Sequence, residues 1–209
     1  MVNLLELANL YGTDKAGNGY IPAYEQHFEP VRNEVRGLLE LGVLNGASLQ
    51  MWRDYFPLAQ IFGVDINPQT KKDLGDRITV ITASQDNEQE LLRIRRQCDL
   101  DIVIDDASHI DKLTLASYRI LAPVVSRFYV MEDMGCSYDK NIIEQRSVWP
   151  GMAYNTRLPE ADWFNKRLDM DDFLADLIHQ LDGGRGLWKS INLYHMLYIF
   201  TAMKPLLSA

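Results

Sequence analysis

The stretch DIVIDDASH, residues 101–109, decides the reading. Ile102, Val103 and Ile104 form a short β-branched run that ends in two acids, Asp105 and Asp106, with His109 three residues further on. Such a run, cut off by polar residues, reads as a buried strand of a parallel sheet. Ligands of open α/β sheets sit beyond the carboxyl ends of the strands, which is where both acids and the histidine fall. RFYVMED, residues 127–133, repeats the design, with Glu132 and Asp133 closing the run. Buried carboxylates repel one another, at a cost on the order of several kcal/mol each unless something compensates. A hard divalent cation compensates several of them at once.

Outward from these two strands the chain alternates apolar runs with amphipathic segments. Residues 3–11 have helical spacing, residues 12–20 form a Gly- and Asn-rich loop containing Lys15, and residues 21–36 read as a helix opened by Pro22. A strand over 37–43 runs through a turn with Asn45 and Gly46 into a helix from about Ser48 to Tyr55. Strand, glycine turn and helix is how a nucleotide-binding unit begins, although Glu40-x-Gly42-x-x-x-Gly46 is not the G-x-G-x-x-G of dinucleotide binders. The second strand, 60–65, ends in Asp65, placed to accept hydrogen bonds from a ribose. A third strand, 77–81, ends in ASQDNEQ, a polar stretch suited to a purine edge, and a charged helix follows over 88–97. After the strands at 101–105 and 127–132 comes an aromatic insert, 134–168, with Trp149, Tyr154, Trp163 and Phe164, which reads as a lid or acceptor wall. A helix over 171–182 and an antiparallel hairpin, 187–193 with 196–203, complete the chain. The order predicts one α/β domain over residues 1–209: a helical cap (1–36) and a doubly wound, mostly parallel Rossmann-like sheet closed by the hairpin.

The net charge of −8 over 209 residues argues against nucleic-acid and anionic-membrane partners. Two cysteines, Cys98 and Cys136, are too few for a disulfide framework and point to the cytoplasm. The start, MVNLLELANLYGTDK, reads as carrying no secretory leader, and no apolar run approaches membrane-spanning length.

Six pieces together carry a resemblance: YGTDK (11–15), YEQHFEPVR (24–32), LLELGVLNGASLQMWRDYFP (38–57), GVDINP (63–68), DIVIDDASH (101–109), and VMED with the following SY (130–133, 137–138). SINLYHMLYIF (190–200) extends it. The chain resembles the class I S-adenosylmethionine-dependent methyltransferases, and within them the metal-dependent sugar O-methyltransferases of macrolide biosynthesis, with the related cephalosporin-hydroxylase-like proteins. The resemblance implies that Glu40, Gly42, Asn45 and Ser48 hold the methionine end of the cofactor, and that Asp65 holds the ribose. It places Ser84, Gln85 and Asp105 in the same cofactor site, with Thr13 and Lys15 covering it. Asp106, Glu132 and Asp133 are the implied ligands of Mg²⁺ or Mn²⁺, and His109, with Asp106, the catalytic pair. This chain departs from the family pattern at Ala83-Ser84-Gln85 (usually GDQ), at Ala107 (usually Gly), and at Asn18-Gly19, where a histidine often precedes the tyrosine.

The chemistry then expected is methylation of a sugar hydroxyl on a small molecule or oligosaccharide. A metal ion lowers the hydroxyl pKa and His109 takes the proton. A homo-oligomer is expected. Two alternatives stay open: a nicotinamide-dependent sugar oxidoreductase on a similar fold, and a non-catalytic methyltransferase-like partner subunit.

Overall fold

The apolar runs become the strands of one sheet. The computed structural model describes residues 3–67, 70, 73–97, 99–138 and 167–203. Its parallel strands are β1 (Gly37–Leu41), β2 (Gln60–Asp65), β3 (Ile78–Thr82), β4 (Ile102–Asp105) and β5 (Phe128–Met131). The hairpin β6 (Trp188–Tyr194) and β7 (Leu197–Ala202) adds to β5 antiparallel, giving the order β3-β2-β1-β4-β5-β7-β6. The doubly wound, mostly parallel sheet and its closing hairpin are therefore as the sequence predicts. Chain direction across the sheet reverses between β1 and β4, which pair in the register Leu41 to Asp105. A ligand crevice opens at such a switch point, because the loops leaving the two strands diverge there.

Helices cover both faces. On one, α1 (Leu4–Tyr11), α2 (Ile21–Phe28) and α3 (Ala47–Tyr55) pack against Leu38, Ile61, Ile102, Ile104 and Val130. On the other, α4 (Glu88–Gln97), α5 (Asp111–Leu121) and the long α7 (Arg167–Asp182) cover Leu39, Leu41, Val103, Tyr129 and Met131. A four-residue helix, α6 (Gly135–Tyr138), follows β5. The first face is anchored by Tyr24, Phe28, Trp52 and Phe56, all fully buried, with the Tyr24 and Trp52 rings 5.1 Å apart edge-on. Each such side chain contributes about 1.5–3 kcal/mol through area removed from water.

Local chemistry sets the helix ends. Asn3 caps α1 by accepting the Glu6 N–H while Glu6 returns a bond to the Asn3 N–H, and Gly12 ends it in the left-handed conformation. The helix expected over 21–36 is shorter: α2 stops at Phe28, and a single 3-10 turn (Glu29–Val31) follows. Pro30 is the physical reason, since it lacks the N–H that would continue the ladder. The helix expected over 171–182 begins earlier, at Arg167. Most of the aromatic insert, including Trp149, Tyr154, Trp163 and Phe164, lies outside the described residues, as does Cys98.

Candidate active site

Side chains alternate between the faces of a strand, so adjacent acids must part. Glu40 pairs in register with Ile104, which belongs to the α1–α3 face. Two residues on, just past the end of β4, Asp106 points to the same side, and Glu132 follows Val130 likewise. Asp105 takes the opposite face. The three carboxylates on the α1–α3 face receive Lys15, carried in from the Asp14–Ala16 turn. Its Nζ lies 2.7 Å from Asp106 Oδ2, 2.8 Å from Glu132 Oε1 and 3.2 Å from Glu40 Oε1. Lys15, Glu40 and Glu132 are buried. Burial works against the Lys15 charge, but Asp106, Glu132 and Glu40 hold its pKa well above the usual lysine value. Burial pushes Glu40 up to about 7 against the pull of Lys15, and raises Glu132 with further help from Asp106. Lys15 thus pairs with all three carboxylates.

A second cluster shares Asp106. His109 Nε2 lies 4.0 Å from Asp106 Oδ1 and 3.4 Å from Asp133 Oδ2. The Tyr20 hydroxyl donates to Asp133 Oδ1 at 2.5 Å. His109 and Asp133 both have φ of 53°, a left-handed backbone that costs a residue with a side chain about 1–3 kcal/mol. That strain brings Asp133 back toward His109 although it adjoins Glu132. The helix after β4 begins at Asp111, so His109 sits in the loop before it. The loop is tied down by backbone bonds, Asp106 N–H to the Leu41 carbonyl and Ser108 N–H to Gln85 Oε1, both 2.9 Å. Among the described residues, two groups bring ligand atoms within 4.8 Å of one another: Glu40, Asp106 and Glu132, and Asp106, His109 and Asp133. The expected set of Asp106, Glu132 and Asp133 is distributed over the two, with Asp106 common to both.

The glycine turn meets this loop from the other side. Gly42 has φ of 90°, and a Cβ there would lie 2.1 Å from the Asp106 carbonyl oxygen. Asp65, expected to grip a ribose, accepts backbone N–H bonds from Val43 (2.8 Å) and Leu44 (3.0 Å) through Oδ2 and from Asn67 (2.8 Å) through Oδ1. It shapes the turn and retains further lone pairs. Asn45 Oδ1 accepts the Ala47 N–H at the start of α3, and Ser48 Oγ donates to Glu40 Oε2 at 2.8 Å. Thr13 is buried, with Oγ1 donating to Asp14 at 3.4 Å. Ser84 bonds Asp86. Gln85 and Asp105 bond to each other. Asp105 is buried beneath α5, accepting from Ser117 Oγ at 2.5 Å and Gln85 Nε2 at 3.2 Å, and burial raises it to about 7. Asp105 and Gln85 anchor the 106–110 loop, Gln85 through the Ser108 N–H and Asp105 through the Ala107 N–H.

Sequence reasoning overlooked Tyr20 and Tyr24 as site residues. They lie one helical turn apart around the start of α2, and Tyr24, fully buried, donates to Glu132 Oε1. Burial, then Asp133 for Tyr20 and Glu132 for Tyr24, keeps both phenols protonated. Their i, i+4 spacing beside two strand-end acids was the available signal. A cavity of about 380 Å³ shares Tyr20 with the cluster and is further lined by Asn18, Gly19, Gln26, Tyr194 and His195.

The arrangement can hold a divalent cation, orient a hydroxyl beside it, and accept a proton on His109. No protein-family model matches the sequence. The chain is 39% identical over 148 residues to an 8-demethyl-8-(2-methoxy-alpha-L-rhamnosyl)-tetracenomycin-C 3'-O-methyltransferase of Streptomyces olivaceus, covering 65% of this chain and 38% of that protein. It is 38% identical over 163 residues to a mycinamicin VI 2''-O-methyltransferase of Micromonospora griseorubida, covering 72% and 38% respectively. Among solved structures, the MycE methyltransferase of mycinamycin biosynthesis, in complex with Mg, SAH and mycinamycin VI, superposes with a TM-score of 0.76 at 30% identity, over 97% of this chain and 54% of that one. The chain therefore spans about two fifths of the length of the curated relatives it matches.

Proposed function

We infer from the chain's place among the class I methyltransferases, with the sugar O-methyltransferases of macrolide and tetracenomycin pathways, that it methylates a sugar hydroxyl of a glycosylated natural product. S-adenosylmethionine is the methyl donor, and a divalent metal ion, Mg²⁺ or Mn²⁺, serves as cofactor. The observation that carries this reading is the convergence of Asp106, His109 and Asp133 at the switch point between β1 and β4, backed by Glu40 and Glu132. Three carboxylates, Glu40, Asp106 and Glu132, gather around one ammonium, Lys15, and Asp133 adds a fourth beside His109. The more accessible pair, Asp106 (20% exposed) and Asp133 (23%), faces the histidine. An oxygen-rich, electron-hard donor set with surplus negative charge fits Mg²⁺ or Mn²⁺.

Asp106 and Asp133 would hold the metal, with Glu132 behind them. The ion would supply charge stabilisation that makes a sugar hydroxyl easier to deprotonate. The protein's own residues do the rest. His109 Nε2, between Asp106 and Asp133, accepts the hydroxyl proton as the oxygen bonds to the methyl carbon and the carbon–sulfur bond breaks. Tyr20 fixes Asp133, and Tyr24 with Lys15 fixes Glu132. The β1–α3 turn, held by Asp65, with Glu40, Gly42, Asn45 and Ser48 around it, is the donor's cradle. Thr13 and the 84–85 segment border it. The cavity beside Tyr20 supports a place for the acceptor, as a space of that size suits a ring with polar edges.

This reading treats residues 1–209 as one methyltransferase domain, with residues 1–36 its cap and 134–168 its acceptor wall. It acts in the cytoplasm as a homo-oligomer, without nucleic-acid or membrane partners; the low cysteine count and the net charge of −8 support the location and those exclusions. No helix among the described residues is long and apolar enough to cross a membrane. A nicotinamide oxidoreductase is disfavoured by the glycine spacing, and a non-catalytic partner by the intact Asp106, His109, Glu132 and Asp133. The test is methyl transfer from radiolabelled S-adenosylmethionine to a panel of glycosides, with Mg²⁺ and with EDTA. Label in a sugar ether only when metal is present supports the reading. Undiminished transfer in EDTA removes the metal, and no transfer to any glycoside removes the acceptor class.

A further inference from the structure

We propose that Lys15 is a positioning residue. Its ammonium permanently occupies the carboxylate cluster, assembles Glu40, Asp106 and Glu132 before any divalent ion binds, and confines that ion to the side formed by Asp106, His109 and Asp133. The confinement rests on the metal-dependent reading above; the assembly does not.

An ammonium has three N–H donors and no acceptor, and here it meets three carboxylates, at 2.7, 2.8 and 3.2 Å. The partners come from separate parts of the chain: a turn before α2, and the ends of β1, β4 and β5. Neutral donors reach two of the carboxylates as well: Ser48 Oγ bonds Glu40 Oε2, and the Tyr24 hydroxyl bonds Glu132 Oε1, the oxygen that also faces Lys15. Glu40 and Glu132 side chains are 0% and 2% exposed, so this half is closed to solvent. Asp106 is divided. Its Oδ2 faces Lys15, and its Oδ1 faces His109, on the side where Asp133 is also accessible. A divalent ion entering the accessible side shares Asp106 with a fixed positive charge. Three converging carboxylates, two of them buried, are strongly unfavourable without a cation, so Lys15 makes the metal-free protein foldable at the expense of metal affinity.

Thermal unfolding and calorimetric titration with MgCl₂ test this on the wild type, Lys15→Met, Glu40→Gln and the Lys15→Met/Glu40→Gln double variant. Without metal, Lys15→Met melts well below the wild type, and the double variant recovers much of the loss because one carboxylate charge is gone. With Mg²⁺, the stabilisation of Lys15→Met exceeds that of the wild type, and its apparent Kd is tighter by about tenfold, since the competing charge has been removed. If Lys15→Met folds only when Mg²⁺ is present, the proposal is supported in its strongest form. A lysine that merely tethers the N-terminal segment predicts equal Mg²⁺ stabilisation in wild type and Lys15→Met and no recovery in the double variant; either result overturns the proposal. Absence of any Mg²⁺ or Mn²⁺ response in both wild type and Lys15→Met removes the metal reading and the confinement with it. The assembly role is then decided by the double variant alone.

Discussion

Replacing Gly42 by alanine should damage stability and turnover together, because one methyl group meets the backbone that carries the candidate catalytic loop. The added Cβ would lie 2.1 Å from the Asp106 carbonyl oxygen, 2.7 Å from its carbon and 2.9 Å from Ala107 Cα. All three are backbone atoms, so no rotamer change relieves the overlap. Reaching the ordinary contact distance of 3.4 Å requires β1 and the 106–110 loop to separate by more than an ångström. The left-handed backbone at φ of 90° adds about 1–2 kcal/mol for a residue with a side chain. Forced backbone displacement adds about 1–3 kcal/mol. The sum, roughly 2–5 kcal/mol, corresponds to a Tm lower by about 5–15 °C for a chain of this size. Displacing Asp106 and His109 by about 1 Å should reduce turnover about a hundredfold. Gly184 is the control. Its φ is also positive, at 59°, but nothing lies within 4 Å of its Cβ position, so Gly184→Ala should show the conformational cost alone and keep turnover. Differential scanning calorimetry and labelled-methyl transfer read both quantities. Wild-type Tm and turnover in Gly42→Ala would refute the reasoning, as would equal losses in the two variants.

His109→Ala should fold normally and keep donor binding while losing about 10²–10⁴-fold in turnover, with partial recovery at high pH where hydroxide takes the proton; an unimpaired variant rules out the base. Asp65→Ala frees the N–H groups of Val43, Leu44 and Asn67, and should weaken S-adenosylmethionine binding by roughly 1–3 kcal/mol in calorimetry, with unchanged affinity counting against the cradle. Tyr24→Phe removes the hydroxyl that donates to buried Glu132 and should cost about 1–3 kcal/mol in urea unfolding; a neutral result would mean the bond contributes nothing. His27, whose Nε2 lies 2.9 Å from the Tyr194 hydroxyl, has its pKa lowered by burial. The folded state therefore binds its proton less readily than the unfolded state. The associated stability is complete above the ordinary histidine pKa of about 6.5 and is lost as pH falls through the lowered value. His27→Gln should flatten that part of the stability profile between about pH 7 and pH 5, and an NMR titration giving an ordinary or raised His27 pKa would contradict it.

What the sequence determined by itself was the layering and the edge of the sheet on which the candidate site residues gather. The apolar runs at 102–104, β-branched throughout, and at 128–131 (Phe-Tyr-Val-Met) had to be buried strands, because side-chain shape and hydrophobicity act locally. Acids that terminate such runs had to lie at the carboxyl edge of the sheet, where loops diverge. The pleat's period of two also separates Asp105 from Asp106, a consequence readable in DIVIDD without any coordinates. Only the tertiary structure decided the rest. Asp133 turns back toward His109 through a strained backbone, and the loop holding His109 is fixed by Gln85 and Asp105 from the far face. Lys15 enters the cluster from a turn 91 residues before Asp106, and Tyr20 and Tyr24 arrive with it. These placements depend on packing between distant segments, where the burial of α1 and α2 against the sheet outweighs the cost of carrying an ammonium and two phenols into the interior. No local pattern records that balance.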